Sequence, residues 1–158
     1  MSAFDEQRAL QFIAACEDVE KVRAVGRNAR DKSKIVEQAA LRRIIALESH
    51  GAPGTVERDC WQMIFAVEEI RRQKRGRKSP MNRLRPKIDR EGERSALEYL
   101  ALHESDGFRE VLAYGMPELS AEAIVLRHGE PTFSAKAVRA AKERLEREGF
   151  DPAKVAQP

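Results

Sequence analysis

The sequence predicts an all-α fold, an irregular or orthogonal bundle of seven to eight helices. Apolar residues recur at spacings of three and four through most of the chain, the period of one helical face. Helix-starting Ser, Thr and Asp and helix-stopping Gly and Pro punctuate those stripes at helix-sized intervals. No period-2 run appears, and no Asn-Gly or Asp-Gly turn lies between β-branched segments, since Asp106-Gly107 has helical sequence on both sides.

Taken in order, Ser2 with Asp5 resembles an N-terminal cap, and the first helix presents Leu10, Ile13 and Ala14. Asp18 can restart it, and Gly26 is expected to end or bend the region. Ser33 caps a long helix with Val36, Ala40, Ile44 and Leu47 on one face, broken by Gly51-Ala52-Pro53-Gly54. Thr55 opens the most apolar helix, with the stripe Val56, Cys60, Ile64, Val67 and with Trp61 as a core anchor. Its acids, Glu57 and Asp59, lie first and its arginines, Arg71 and Arg72, last, the order that complements the helix dipole.

Gly76 stops that helix. Ser79-Pro80 reads as the cap and first residue of the next, with Met81, Leu84 and Ile88 inward, Pro86 kinking or restarting it and Gly92 closing it. Further helices are expected over about 93–103, from Asp106 to Gly115, from Pro117 to Gly129, and from Ser134 to Gly149. Phe150 should fold back on Leu145. The core is assigned to the helices at 33–48, 55–72, 93–103, 117–128 and 134–148. Residues 1–150 are read as one domain and 151–158 as a frayed tail.

Charge is distributed unevenly. The net charge of +3 conceals a segment, 71–90, with ten Lys/Arg and one acid, Asp89, while both flanks are net acidic. Phosphate backbones favour such clustering because every phosphate neutralised releases counterions. Arginine outnumbers lysine in the segment, and its planar fork suits bidentate contact with phosphate or guanine. The candidate nucleic-acid contacts are Arg71, Arg72, Lys74, Arg75, Arg77, Lys78, Arg83, Arg85, Lys87 and Arg90. Lys74-Arg75-Gly76-Arg77-Lys78 also resembles the centre of an AT-hook, in which an Arg-Gly-Arg run enters the minor groove. Here Lys78 and Ser79 separate the second arginine from Pro80. The competing reading pairs these cations with the fold's own acids, among them Glu91, Glu93, Glu98, Glu104 and Glu110, or with an acidic protein partner. Membrane-surface attraction is disfavoured because the segment has no large apolar face.

Two helix–glycine–helix units, 80–103 and 106–127, have the outline of a helix-turn-helix. The second would offer Glu118 and Glu122 to phosphate and is a poor reader. His50, His103 and His128 fall at helix ends, where free carbonyls are the usual partners. Cys16 and Cys60 read as core thiols, too few for a disulfide framework or a four-ligand zinc site. Glu68-Glu69 and Asp89, Glu91 and Glu93 read as helix-surface charges rather than a two-metal centre. No phosphate-binding P-loop and no His-Glu-x-x-His appears.

From Gly76 onward, Ile88-Asp89-Arg90-Glu91-Gly92, Gly107-Phe108-Arg109, Gly115-Met116-Pro117-Glu118-Leu119-Ser120 and Val125-Leu126-Arg127-His128 are similar to a group of small uncharacterised bacterial helical proteins. The resemblance implies a bacterial setting and one unit spanning the basic segment and the later helices. It carries no activity or site residue.

No apolar run approaches the roughly 20 residues that span a bilayer, and the opening Met1-Ser2-Ala3-Phe4-Asp5-Glu6 lacks signal-peptide regions. A cytoplasmic, reduced protein is expected. The expectation for function is a non-enzymatic DNA- or RNA-binding accessory or regulatory protein, DNA before RNA. No cofactor, metal or membrane is implied. The alternative is a helical protein-interaction module, an adaptor or inhibitor that docks an acidic partner.

Overall fold

The computed structural model describes residues 3–157, so the expected cap at Ser2 lies outside the described residues. Among the described residues there are ten α-helices and no strand. They are α1 (Ala3–Ala15), α2 (Val19–Asn28), α3 (Lys34–Glu48), α4 (Val56–Arg75), α5 (Leu84–Glu91), α6 (Glu93–Leu102), α7 (Asp106–Ala113), α8 (Ala121–His128), α9 (Ala135–Arg147) and α10 (Pro152–Val155), with a 3₁₀ turn over Pro117–Leu119. The all-α class holds; the count exceeds the expected seven to eight.

Part of the excess arises at Asp18, whose carboxylate accepts from the amides of Glu20 and Lys21 and so starts α2 afresh. The rest lies in the tail. Asp151 caps Ala153, Val155 is buried, and Arg127 donates to the Ala156 carbonyl at 3.0 Å. Residues 151–156, expected to fray, are therefore docked.

Gly26 neither ends nor bends α2. It lies inside the helix, where an added Cβ would come within 3.0 Å of the Ala40 Cβ on α3. Its missing side chain lets the two helices approach closely. Ser33, Thr55 and Ser134 cap as expected, each hydroxyl accepting an amide three residues on. Pro117 does not open α8. It starts the 3₁₀ turn, and the Ser120 hydroxyl caps the helix proper by accepting from Ala123 N.

The core lies around α4. Cys60, Met63 and Ile64 pack with α5, α6, α8 and α9, and Ala66, Val67 and Ile70 pack with Leu41 and Ile45 of α3 and Val111 of α7. A third cluster joins α1, α2 and α3 around Val22, Val36 and Ile44, and a fourth joins Phe108, Ala123, Leu145 and Val155. Within the core, Glu122 is 1% exposed and bonds through Oε2 to Arg144, which also donates to the Leu100 carbonyl. Burial pushes the Glu122 carboxyl above the usual carboxylate range, while the Arg144 bond opposes that shift.

Candidate nucleic-acid interface

The basic segment begins on the last turn of α4. Arg72, Lys74 and Arg75 lie there, favoured by the negative end of the helix dipole. Gly76 adopts φ +70° and donates its amide to the Arg72 carbonyl at 2.8 Å, ending the helix in the left-handed conformation that glycine accepts without strain. Arg75 is therefore helical and Arg77 follows a tight turn. The Arg-Gly-Arg core is not the extended strand that an AT-hook lays along the minor groove, so that resemblance does not extend to the backbone.

Beyond Gly76 the chain returns to α4 without the expected helix start at Ser79-Pro80. Ser79 and Leu84 are buried, and the Met81 amide donates to Glu68 Oε2 at 2.8 Å. These anchors hold 77–83 as a strap, and α5 starts only at Leu84. Pro86 then falls in the first turn, where a missing amide costs no helical hydrogen bond.

Three of the ten expected contacts are tied to the fold's own carboxylates. Arg71 makes a bidentate pair with Glu110, at 2.8–3.1 Å, with both side chains more than four-fifths buried. Arg85 grips Glu68 at 2.7 and 2.8 Å, and that bond raises its pKa. Lys87 bonds to Glu91 at 2.8 Å and lies 4.7 Å from the centre of the Tyr99 ring. The Lys87 bond holds the Glu91 carboxyl below its ordinary value. Arg71, Arg85 and Lys87 are thus paired within the fold, the arrangement the competing reading expects. Of the acids considered as partners, Glu110 and Glu91 take this role, whereas Glu98 caps Ser134 and Glu104 pairs with Arg109. Glu68 takes it too, although it reads as a surface charge in the sequence.

The other seven, Arg72, Lys74, Arg75, Arg77, Lys78, Arg83 and Arg90, have no ion pair among the described residues. All but the half-buried Arg72 are exposed.

Sequence reasoning missed three arginines. Arg23 and Arg27 on α2 and Arg30 just after it line a cleft against Arg72, Gln73 and Gly76. Their signal is visible: spacings of four and three on one helical face. What places them is Glu69, 5% exposed, which accepts from Arg23 at 2.9 Å through both oxygens, and the Gln73 carbonyl, which accepts from Arg30 at 3.1 Å. The Glu69 bond keeps Arg23 firmly protonated.

Trp61, expected as a core anchor, is half-buried. One side meets the core, its ring centre lies 4.5 Å from that of His50, and Arg85 sits 5.2 Å from it. Phe65 completes the group, 5.9 Å from Trp61.

Neither helix-turn-helix outline survives. A single residue, Gly92, joins α5 to α6, too short for the three- to four-residue turn of that motif. In the second unit, Ala121 through Val125 of α8 are buried, leaving no face for a groove. Of the histidines, His103 meets the Tyr99 carbonyl at 2.9 Å as expected, whereas His128 bonds Asp59 at 2.7 Å beside Arg127. Burial pushes the Cys60 thiol up to about 12, so it is a packed thiol rather than a nucleophile. Among the described residues no His, Cys, Asp or Glu cluster could hold a metal ion, and no helix is long and apolar enough to cross a membrane.

The chain matches no family model, no curated protein and no solved structure.

Proposed function

We propose that the protein binds nucleic acid, DNA before RNA, as a non-enzymatic accessory or regulatory protein in a bacterial cytoplasm. One observation carries this reading: seven cations between Arg72 and Arg90 have no ion pair among the described residues, and five of them lie within the seven residues from Arg72 to Lys78. A helix end and the strap behind it hold them at the surface. Such charges gain by displacing counterions from a phosphate backbone.

If about five phosphates are contacted, log affinity should fall with log salt at a slope of about −3.5 on a single strand to −4.5 on a duplex. Fluorescence anisotropy of a labelled oligonucleotide across a salt series measures this, and a flat dependence refutes the proposal. The interaction-module reading draws on Arg71, Arg85 and Lys87, which show that this segment also pairs well with carboxylates. Pull-down with and without nuclease separates the two, because only a protein partner survives digestion.

A further inference from the structure

We propose that the cleft between α2 and the C-terminal half of α4 is a track for a single nucleic-acid strand, with phosphates over Arg27, Arg30, Arg72 and Lys78 and a base stacked on His50. The inference rests on the nucleic-acid reading and narrows it to unpaired strands.

Shape comes first. The cleft comprises two adjoining hollows of about 230 and 220 Å³ that share Glu20, Arg23, Ile44, Glu69 and Arg72 as common wall. Each lies below the roughly 300 Å³ of an ordinary small-molecule pocket. A free nucleotide is poorly enclosed by either, whereas a chain running through both can place one phosphate in each.

Charge supports the same occupant. The two hollows are lined by six cations and four carboxylates. Three of the carboxylates are already engaged: Glu20 and Glu69 hold Arg23, and Glu68 holds Arg85. What remains is Arg27, Arg30, Arg72 and Lys78 against Glu48 and the second negative charge on Arg23, so the lining keeps a net positive charge of two. The Gln73 carbonyl that anchors Arg30 leaves its charge unneutralised.

The aromatic group decides between a strand and a duplex. Phe65 lines the second hollow, and its ring centre lies 6.2 Å from that of the exposed His50, whose ring meets Trp61 at a tilt of 45°. Arg85 sits over Trp61 and Phe65, at 5.2 and 5.5 Å, which leaves the exposed His50, beside rather than within the second hollow, as the ring of this group open to a ligand. A basic groove beside an aromatic face is how proteins hold unpaired strands, because an unpaired base can turn onto the ring while its backbone follows the charges. Bases within a duplex are stacked on one another and cannot do so.

The test uses the full chain and two fluorescein-labelled DNAs, a 20-nucleotide strand and the matching 20-base-pair duplex, titrated by anisotropy from 50 to 200 mM NaCl. The strand should bind at least about tenfold tighter than the duplex at 150 mM. Arg27→Ala/Arg30→Ala should reduce the single-strand salt slope by about 1.4, at 0.7 per contact. His50→Ala should weaken strand binding about fivefold or more at unchanged slope, the loss expected of one stacked base. Arg27→Glu alone, at an exposed position outside every ion pair among the described residues, must also weaken binding, which guards against a folding defect in the double variant. Equal or tighter duplex binding overturns the inference. So does wild-type affinity in the Arg27, Arg30 and His50 variants when Arg75→Ala/Arg77→Ala has lost binding, a result that leaves the proposed function standing. Binding of neither DNA refutes both.

Discussion

Arg71 and the pair Arg75 and Arg77 lie within seven residues of one another, yet their removal should have opposite signatures. Arg75 and Arg77 are exposed and without ion pairs among the described residues. Each phosphate contact adds 0.7–0.9 to the salt slope. If that term vanishes at 1 M salt, each arginine contributes about 5- to 8-fold at 0.1 M. Arg75→Ala/Arg77→Ala should therefore lower affinity about 25- to 60-fold at 0.1 M and flatten the slope by about 1.4–1.8. Stability should stay within about 0.5 kcal/mol, as for surface substitutions generally. Arg71→Ala does the reverse. It strips Glu110 of a bidentate partner where the two side chains are 18% and 15% exposed. That places the pair between an exposed bridge at about 0–1 kcal/mol and a buried one whose breakage costs about 3–5, so about 1–2 kcal/mol is expected. For a chain of this size the loss lowers Tm by about 2–8 °C. The salt slope should stay at its wild-type value. Anisotropy titrations beside thermal melts followed by circular dichroism read both quantities. If Arg71→Ala flattens the slope as much as the double variant does, or if the double variant melts several degrees lower, the division into structural and free cations is wrong.

Two further predictions concern the interior. Arg144→Met should destabilise the fold by about 3–5 kcal/mol at pH 7 in urea unfolding, while Arg144→Met/Glu122→Leu should recover most of that loss, because an unpaired buried charge costs more than the pair contributes. Burial already raises the Glu122 carboxyl and Arg144 opposes that shift, so the single variant should lose stability as pH rises through the raised value and regain it as pH falls toward the ordinary 4.5; a penalty unchanged between pH 7 and pH 5 refutes the assignment. With its thiol near 12 and fully buried, Cys60 should resist labelling by a disulfide reagent at pH 7.5 until the protein unfolds, whereas the half-buried Cys16 should react first.

Much of the fold was legible because helix ends are written locally. Ser33, Thr55 and Ser134 each cap an amide three residues away, and Gly149 sits at φ +88° where a left-handed cap is expected, followed by a half-buried Phe150 packed with Leu145. The misread ends share a different cause. Ser79-Pro80 carries the same local signature as a helix start, but Glu68, thirteen residues before Met81, captures that amide and straps the segment down. Gly26 carries the signature of a stop, but the need for α2 to lie against Ala40 decides its role. The site divides along the same line. Clustering of cations is a property of the string and was visible. Which of them are neutralised depends on Glu68 and Glu110, 17 and 39 residues away, and is not. The arginine face of α2 was readable as a stripe, but its meeting with α4 depends on Arg23 and Glu69, 46 residues apart.

Those two consecutive glutamates account for how one helix serves both core and surface. On α4, Cys60, Ile64, Val67 and Ile70 face inward, and the pair Glu68-Glu69 lies on the side turned toward the cleft. Each grips one guanidinium from a different part of the chain, Glu69 that of Arg23 and Glu68 that of Arg85. The first bond ties α2, which packs on α3, to α4; the second ties α5 to α4 beside the strap. The net gain from the pairs themselves is modest, because taking the mostly buried Arg23 and Glu69 out of water offsets much of their attraction and Arg85 is partly exposed. Their geometric part is to tie to α4 the segments that carry the free cations: α2, seated on α3 by the apolar cluster, brings Arg27 and Arg30, and the strap anchored at Glu68 brings Lys78. Charges held apart by a rigid frame have already met the cost of mutual repulsion in the folded state, so a polyanion that relieves it finds a site requiring little further ordering. The neutralised arginines thus bear on binding through the placement of the free ones.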